Sequence, residues 1–307
     1  MKKILILMIA VIAVCTKSKA CDICGCGVGS SYIGILPDFN SKIFGVRYRY
    51  SSLLTHVGAN GVNTYLTNRE HYRTVELWGG WNIGTHFRVM AAIPYNFNER
   101  FNQGVKYTKS GLGDIAVSGY YQLINSRKTI DSSKLLIQTL LVGGGIKLPT
   151  GKYNPADKES TNNNANLFQL GTGSVDFTLN AMYDLRVQDA GLNAMASYKI
   201  NTTNKYDYKY GNKLSVSTQL YYKFRVMQTF TIAPNAGIQY ETAQKDMDMH
   251  YTADVSGGNI LMGTAGVEAI FSKLSMGVNW QTPFSQNLAD GFVKAGNRVM
   301  VHVAFVL

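Results

Sequence analysis

Beyond its first twenty residues the sequence has no uninterrupted apolar run approaching the ~20 residues that a membrane-spanning helix requires. It therefore offers no helical span. Basic runs and basic helices are missing too. Lys and Arg number 30 against 19 Asp and Glu, a formal charge of +11, but the excess is scattered along the chain. Charge spread in that way argues against nucleic acid as a partner. Nothing reads as a helix, a linker or a second domain. A catalytic spacing is absent as well: His302 and the serines Ser118, Ser174 and Ser197 supply residue types used in acyl transfer, but in no recognisable pattern, so no enzyme is read.

What is present begins with Met1-Lys2-Lys3, an apolar stretch from Ile4 to Val14, and Ser18-Lys19-Ala20. That is a secretory signal peptide over residues 1–20, with cleavage expected after Ala20. Its apolar stretch is too short to cross a bilayer. Removing Lys2, Lys3, Lys17 and Lys19 leaves 11 − 4 = +7 on the mature chain. A balance of that sign suits anionic solutes or the phosphates of lipopolysaccharide.

The final stretch, Arg298 to Leu307, alternates strictly. Val299, Val301, Val303, Phe305 and Leu307 form one unbroken apolar face, and Arg298, Met300, His302, Ala304 and Val306 form a mixed one. Period two means extended chain. We read it as the closing strand of an outer-membrane β-barrel. The same alternation recurs in residues 41–53, 74–84, 87–98, 113–123, 136–148, 174–185, 192–201, 213–224, 230–241, 260–271 and 274–282. About twelve strands result, each of roughly the length a tilted barrel strand needs.

The connections alternate between long (55–72, 99–110, 149–170, 202–211, 243–258, 284–296) and short (84–86, 186–191, 225–229, 272–273). Only 124–133 is longer than its place in the series predicts. Long external loops, short periplasmic turns and an even strand count are the outer-membrane pattern, with lipid as partner of the outer face. A secreted antiparallel sandwich has similar composition but no reason for this rhythm. Mean hydropathy near zero and 19 tyrosines also suit a barrel with aromatic girdles. Pro94 and Pro234 fall inside two of the strands. Because proline removes a ladder donor, a bulge or an unpaired end is expected at each.

Three glycine-rich segments carry a family likeness: Ser110-Gly111-Leu112-Gly113-Asp114, Gly145-Ile146-Lys147-Leu148-Pro149-Thr150-Gly151-Lys152-Tyr153, and Gly171-Thr172-Gly173-Ser174-Val175-Asp176. In this order they resemble the outer-membrane barrel family named for the meta-pathway of phenol degradation. The resemblance implies a single antiparallel barrel with a transport role. Each segment sits where a long loop meets a strand, and glycine there permits a tight bend.

The Cys-rich start is not part of that family pattern. Cys21, Cys24 and Cys26, at C-x-x-C-x-C spacing, can wrap one soft ion such as Cu(I) or Zn(II). The oxidising periplasm equally favours a disulfide, and Cys21 is also open to acylation. The segment as a whole, residues 21–40, reads as a periplasmic or plug element ahead of a barrel over 41–307. By strand parity Met90, Met182, Met195, Met262, Met300 and His302 point inward, a soft-ligand path with Met300 and His302 as candidate metal ligands, or simply an internal packing layer. Met247, Met249 and His250 form a second soft cluster in a solvated loop. Inward charges are Arg47, Arg49, Glu76, Arg88, Asp114, Lys147, Asp176, Asp184, Lys199, Glu268 and Arg298. These readings give a channel passing small solutes through a charged lumen. The second reading is a closed barrel presenting a periplasmic thiol site to copper, zinc or a redox partner.

Overall fold

The structure is a computed structural model that describes residues 41–58, 61–130, 134–157 and 166–307. Its strands are β1 (Ile43–Thr55), β2 (Asn68–Ile83), β3 (Phe87–Asn102), β4 (Val105–Leu112), β5 (Ala116–Ile130) and β6 (Lys134–Lys147). They continue with β7 (Asp176–Val187), β8 (Ala190–Ile200), β9 (Tyr208–Lys209), β10 (Lys213–Tyr222), β11 (Phe224–Met227) and β12 (Phe230–Ala243). The last are β13 (Met247–Asp248), β14 (Tyr251–Thr252), β15 (Gly258–Phe271), β16 (Leu274–Leu288) and β17 (Val293–Val306).

Twelve of these, β1, β2, β3, β5, β6, β7, β8, β10, β12, β15, β16 and β17, pair antiparallel in that order, and β17 returns to β1. The closing register runs from Ile43 opposite Val306 to Thr55 opposite Val293. Closure leaves no free strand edge in the wall, which matters in hydrocarbon, where each unpaired group costs several kcal/mol.

The outer face is what the alternation requires. Phe44, Val46 and Tyr48 on β1, Val75, Leu77 and Trp81 on β2, and Val303 and Phe305 on β17 are exposed. Between them Gly45, Arg47, Glu76, Trp78, His302 and Ala304 are buried. A belt of large exposed apolar side chains on every side is a surface made for lipid.

Both prolines lie at breaks in the ladder. β3 pairs with β5 over Phe87–Ala92 and with β4 over Tyr95–Asn102. Pro94 falls in the gap, where its carbonyl accepts from Gly113 N at 2.8 Å. Pro234 lies where β10 gives way to β11. Asn235 pairs with Tyr221 and Ile232 with Phe224, while the partner of Pro234 is Val267 on the opposite side. A missing N–H costs least in such gaps.

Element ends differ from the sequence expectation. β2 begins at Asn68 and β3 reaches Asn102, turning through Gly104 into β4, where a polar loop was expected over 99–110. β16 runs to Leu288 and β17 starts at Val293. Beyond the lipid belt both faces meet polar surroundings, so alternation fades although the hydrogen-bonded ladder continues. The same correction applies to 124–133. β5 continues to Ile130 and pairs with Lys134 of β6, so the overlong turn is a projecting hairpin. The loop over 243–258 carries β13 and β14, which join β9 in a small sheet at the long-loop mouth.

Candidate functional site: a lumen closed by two apolar layers

Residues 166–170, in the connection between β6 and β7, are buried in the barrel mouth. In the closed order β6 and β7 lie opposite β16 and β17. Yet Leu167 and Phe168 are buried in one cluster with Leu53 and Tyr72 of β1 and β2, and with Ile260, Met262, Leu288 and Val293 of β15 to β17. Residues 167 and 168 therefore lie inside the long-loop mouth, in the apolar cluster that fills it. Polar side chains of the wall fasten the backbone of this segment. Asn96 Nδ2 donates to Leu170 O at 3.0 Å, Asn98 Nδ2 to Gln169 O at 3.1 Å, and Lys109 Nζ to Phe168 O at 2.6 Å. The Arg100 guanidinium lies 4.5 Å from the centre of the Phe168 ring. The signal for this element was legible: an apolar Leu167-Phe168 pair inside an otherwise polar loop.

All three glycine-rich segments meet where that loop leaves the wall. Lys147 Nζ reaches Asp114 Oδ2 at 2.6 Å and Asp176 Oδ2 at 2.8 Å, and it also contacts Thr172 Oγ1. Asp114 accepts in addition from Gly151 N at 2.9 Å and Thr172 N at 2.8 Å. Asp176 accepts from Ser174 Oγ at 2.8 Å and Thr202 N at 3.1 Å, with Lys199 Nζ 3.6 Å away. Gly151 and Gly171 cross so closely that a Cβ on Gly171 would lie 2.3 Å from Asp114 Oδ1 and 2.7 Å from Gly151 Cα. Only glycine fits such an approach. The motifs thus build a fully paired buried ion network that anchors the β6–β7 connection.

Above the mouth, Tyr153, Tyr208 and Tyr210 pack together. Tyr208 donates to Asp246 Oδ2 at 2.5 Å, and Tyr210 to Asn166 O at 3.1 Å. Burial raises the phenols of Tyr153 and Tyr208 above the ordinary tyrosine value, and for Tyr208 the nearby Asp246 carboxylate adds to the rise. Both remain hydrogen-bond donors at neutral pH.

Below the β6–β7 connection the lumen is polar. Glu76 is shared by Arg47 (3.0 Å) and Arg49 (2.9 Å). Glu241 is shared by Arg298 (3.1 Å) and Lys213 (3.3 Å). Sequence parity named the first trio and Arg298, but not Lys213 or Glu241, which stand at strand ends. Between them is a cavity of about 90 Å³ bounded by Arg49, Lys213, Glu241, Gln239, Gln281 and Arg298. A second cavity of about 60 Å³ lies next to it toward the short-turn end, past Met300 to Met182 and Met195. Beneath lies another apolar layer, of Ile43, Trp78, Met90, Tyr120, Leu141 and Ala304.

The other residues singled out in the sequence are dispersed. Arg88 donates through Nη2 to Ser41 O at 2.7 Å, at the short-turn end. Asp184 accepts from Tyr221 OH at 2.9 Å. His302 stacks edge-on against Trp78 at 6.3 Å and crowds Gly277 together with Glu268, where an added Cβ would lie 2.4 Å from His302 Cε1 and 3.1 Å from Glu268 Cγ. Met300, two residues along, borders the cavities instead. Met249 is exposed on the turn between β13 and β14. Among the described residues no group of three or more His, Cys, Asp or Glu is placed to hold a metal ion. Cys21, Cys24, Cys26 and the whole segment 21–40 lie outside the described residues.

The family described as "Putative MetA-pathway of phenol degradation" matches residues 55–296, most of the barrel. The chain belongs to this family. Among solved structures it is similar to an outer membrane channel from Pseudomonas putida F1, at 13% identity and TM-score 0.58, over 92% of this chain and all of that one. It is also similar to the β domain of a Bordetella autotransporter, at 10% identity and TM-score 0.44, over 86% of this chain and 99% of the other. No curated protein matches it in sequence. What is shared with the outer membrane channel is the fold, a closed antiparallel β-barrel of twelve strands.

Proposed function

We propose that the protein is an outer-membrane channel for small solutes, with the long-loop mouth external and the short-turn end periplasmic. The observation that supports this most is the polar cavity lined by Arg49, Lys213, Glu241 and Arg298, held between two apolar layers inside a closed wall. Outer-membrane barrels have polar interiors whether open or plugged, so the space left among the charges is what favours passage. This one keeps paired buried charges around a cavity of about 90 Å³. The β6–β7 connection, fastened at one edge by the Lys147 network, is the element that opens the outer mouth.

The test is ion current through the full-length protein in planar bilayers. Stepwise currents that depend on protein insertion support the reading. A protein that inserts, as judged by protease protection, yet carries no current at any voltage would refute it. That outcome would leave a closed barrel whose working part is elsewhere, such as the thiol segment.

A further inference from the structure

Building on the channel reading, we infer that the lumen contains a binding site for organic monocarboxylic acids with an apolar body. Charge is the first observation. Arg47, Arg49, Lys213 and Arg298 stand against Glu76 and Glu241, four cations to two carboxylates, a surplus of 4 − 2 = 2 positive charges. In a narrow, partly desolvated lumen that surplus attracts an anion far more strongly than it would at a free surface.

Donors are the second observation. Arg49 Nε is buried and has no hydrogen-bond partner among the described residues. Lys213 carries three donors, and its ion pair with Glu241 is a single 3.3 Å contact. Both side chains border the upper cavity, beside Arg298.

The third observation is the change of chemistry along the axis. The lower cavity shares Ser215, Gln239, Gln281 and Met300 with the upper one, so the two are neighbours along the lumen. Its further lining sets Met182, Met195 and Tyr120 among neutral polar side chains such as Asn180, Gln219 and Asn279, with no charge. Thioethers adapt to irregular apolar shapes and make favourable contacts with aromatic rings. A ligand spanning both cavities places its carboxylate among Arg49, Lys213 and Arg298 and its apolar body against the methionines. An inorganic anion would use only the upper half, and a neutral aromatic only the lower.

The experiment is calorimetric titration of the full-length protein in detergent with sodium benzoate, benzyl alcohol and sodium formate, paired with reversal potentials in a KCl gradient. The variant is Lys213→Gln, which leaves Arg298 holding Glu241 through two bonds of 3.1 and 3.3 Å, so the wall stays intact. Benzoate is expected to bind about tenfold or more tightly than either partial ligand, and Lys213→Gln to weaken benzoate about tenfold without changing benzyl alcohol. The wild-type current should favour chloride, and the variant less so. Equal binding of benzoate and benzyl alcohol, or benzoate binding unaffected by Lys213→Gln, overturns the site. A conducting pore that favours potassium also overturns it while leaving the channel standing. A protein without current refutes the channel, and the titration still decides the site.

Discussion

Replacing Lys147 by methionine removes the cation on which the three family segments converge. Lys147 is 2% exposed, and its ammonium contacts Asp114, Asp176 and Thr172. Taking away one partner of a buried ion pair costs about 3–5 kcal/mol, because the remaining charge is left uncompensated. Here the loss falls unequally. Asp176 keeps the Lys199 cation at 3.6 Å beside its neutral donors, whereas Asp114 keeps neutral donors alone, the N–H groups of Gly151 and Thr172 and the Thr172 hydroxyl. The expected cost is therefore about 3 kcal/mol, the low end of that range, and most of it arises at Asp114. Asp114→Asn, which leaves Lys147 paired to Asp176, should cost less. The double variant Lys147→Met/Asp114→Asn should be no worse than Lys147→Met alone, because it no longer buries an unpaired carboxylate. Urea unfolding in lipid, followed by tryptophan fluorescence, gives the three values, and protease cleavage within residues 149–170 reports release of the β6–β7 loop. Costs that simply add in the double variant would mean that the two groups do not act together, and the anchoring role would be wrong.

Three further outcomes are expected. Gly171→Ala should free the same loop to protease and destabilise by about 1–3 kcal/mol, since its Cβ has no room between Asp114 and Gly151. Unfolding indistinguishable from wild type would show that the crossing is slack. Ile238→Arg, on the exposed outer face of β12, should cost about 2–4 kcal/mol in a bilayer, while Ile238→Leu costs little. No difference between the two would mean that this face does not meet lipid. The third concerns pH. Because the folded state raises the Tyr208 phenol, its contribution is fully present below the ordinary value of 10.0 and is lost only as pH rises through the folded value. Protease cleavage in residues 202–211 and 243–258 should stay low from neutral pH to about 10 and increase from there toward the folded value. Tyr208→Phe, which loses the bond to Asp246, should raise cleavage already at neutral pH.

The barrel was legible in the sequence because lipid imposes alternation on every strand that crosses it. Stretches such as Val75 to Ile83 and Arg298 to Leu307 carry that signal in full, and the strand order follows from it. Beyond the belt the constraint disappears. Asn68-Arg69-Glu70-His71 reads as loop although it begins β2 with Asn68 and Glu70 buried, and 124–130 reads as turn although it is ladder. The glycine-rich segments were legible as bends, but not as one network, because Asp114 and Thr172 meet across 58 positions. No local pattern encodes such a contact. Lys213 and Glu241 were missed for a related reason: each stands at the end of its strand, where parity is hardest to fix.

The channel reading turns on the burial of Leu167 and Phe168 in the mouth. Truncating a buried leucine and a buried phenylalanine to alanine removes about 2–5 and 3–5 kcal/mol of packing, respectively. Even a fraction of that sum would raise the open fraction by about a hundredfold, at 1.4 kcal/mol for each factor of ten. Single-channel recording of Leu167→Ala/Phe168→Ala beside wild type should therefore show the same open current, with the open state far more populated in the variant. Identical open fractions, or no current from either protein, would contradict a lumen gated by this loop.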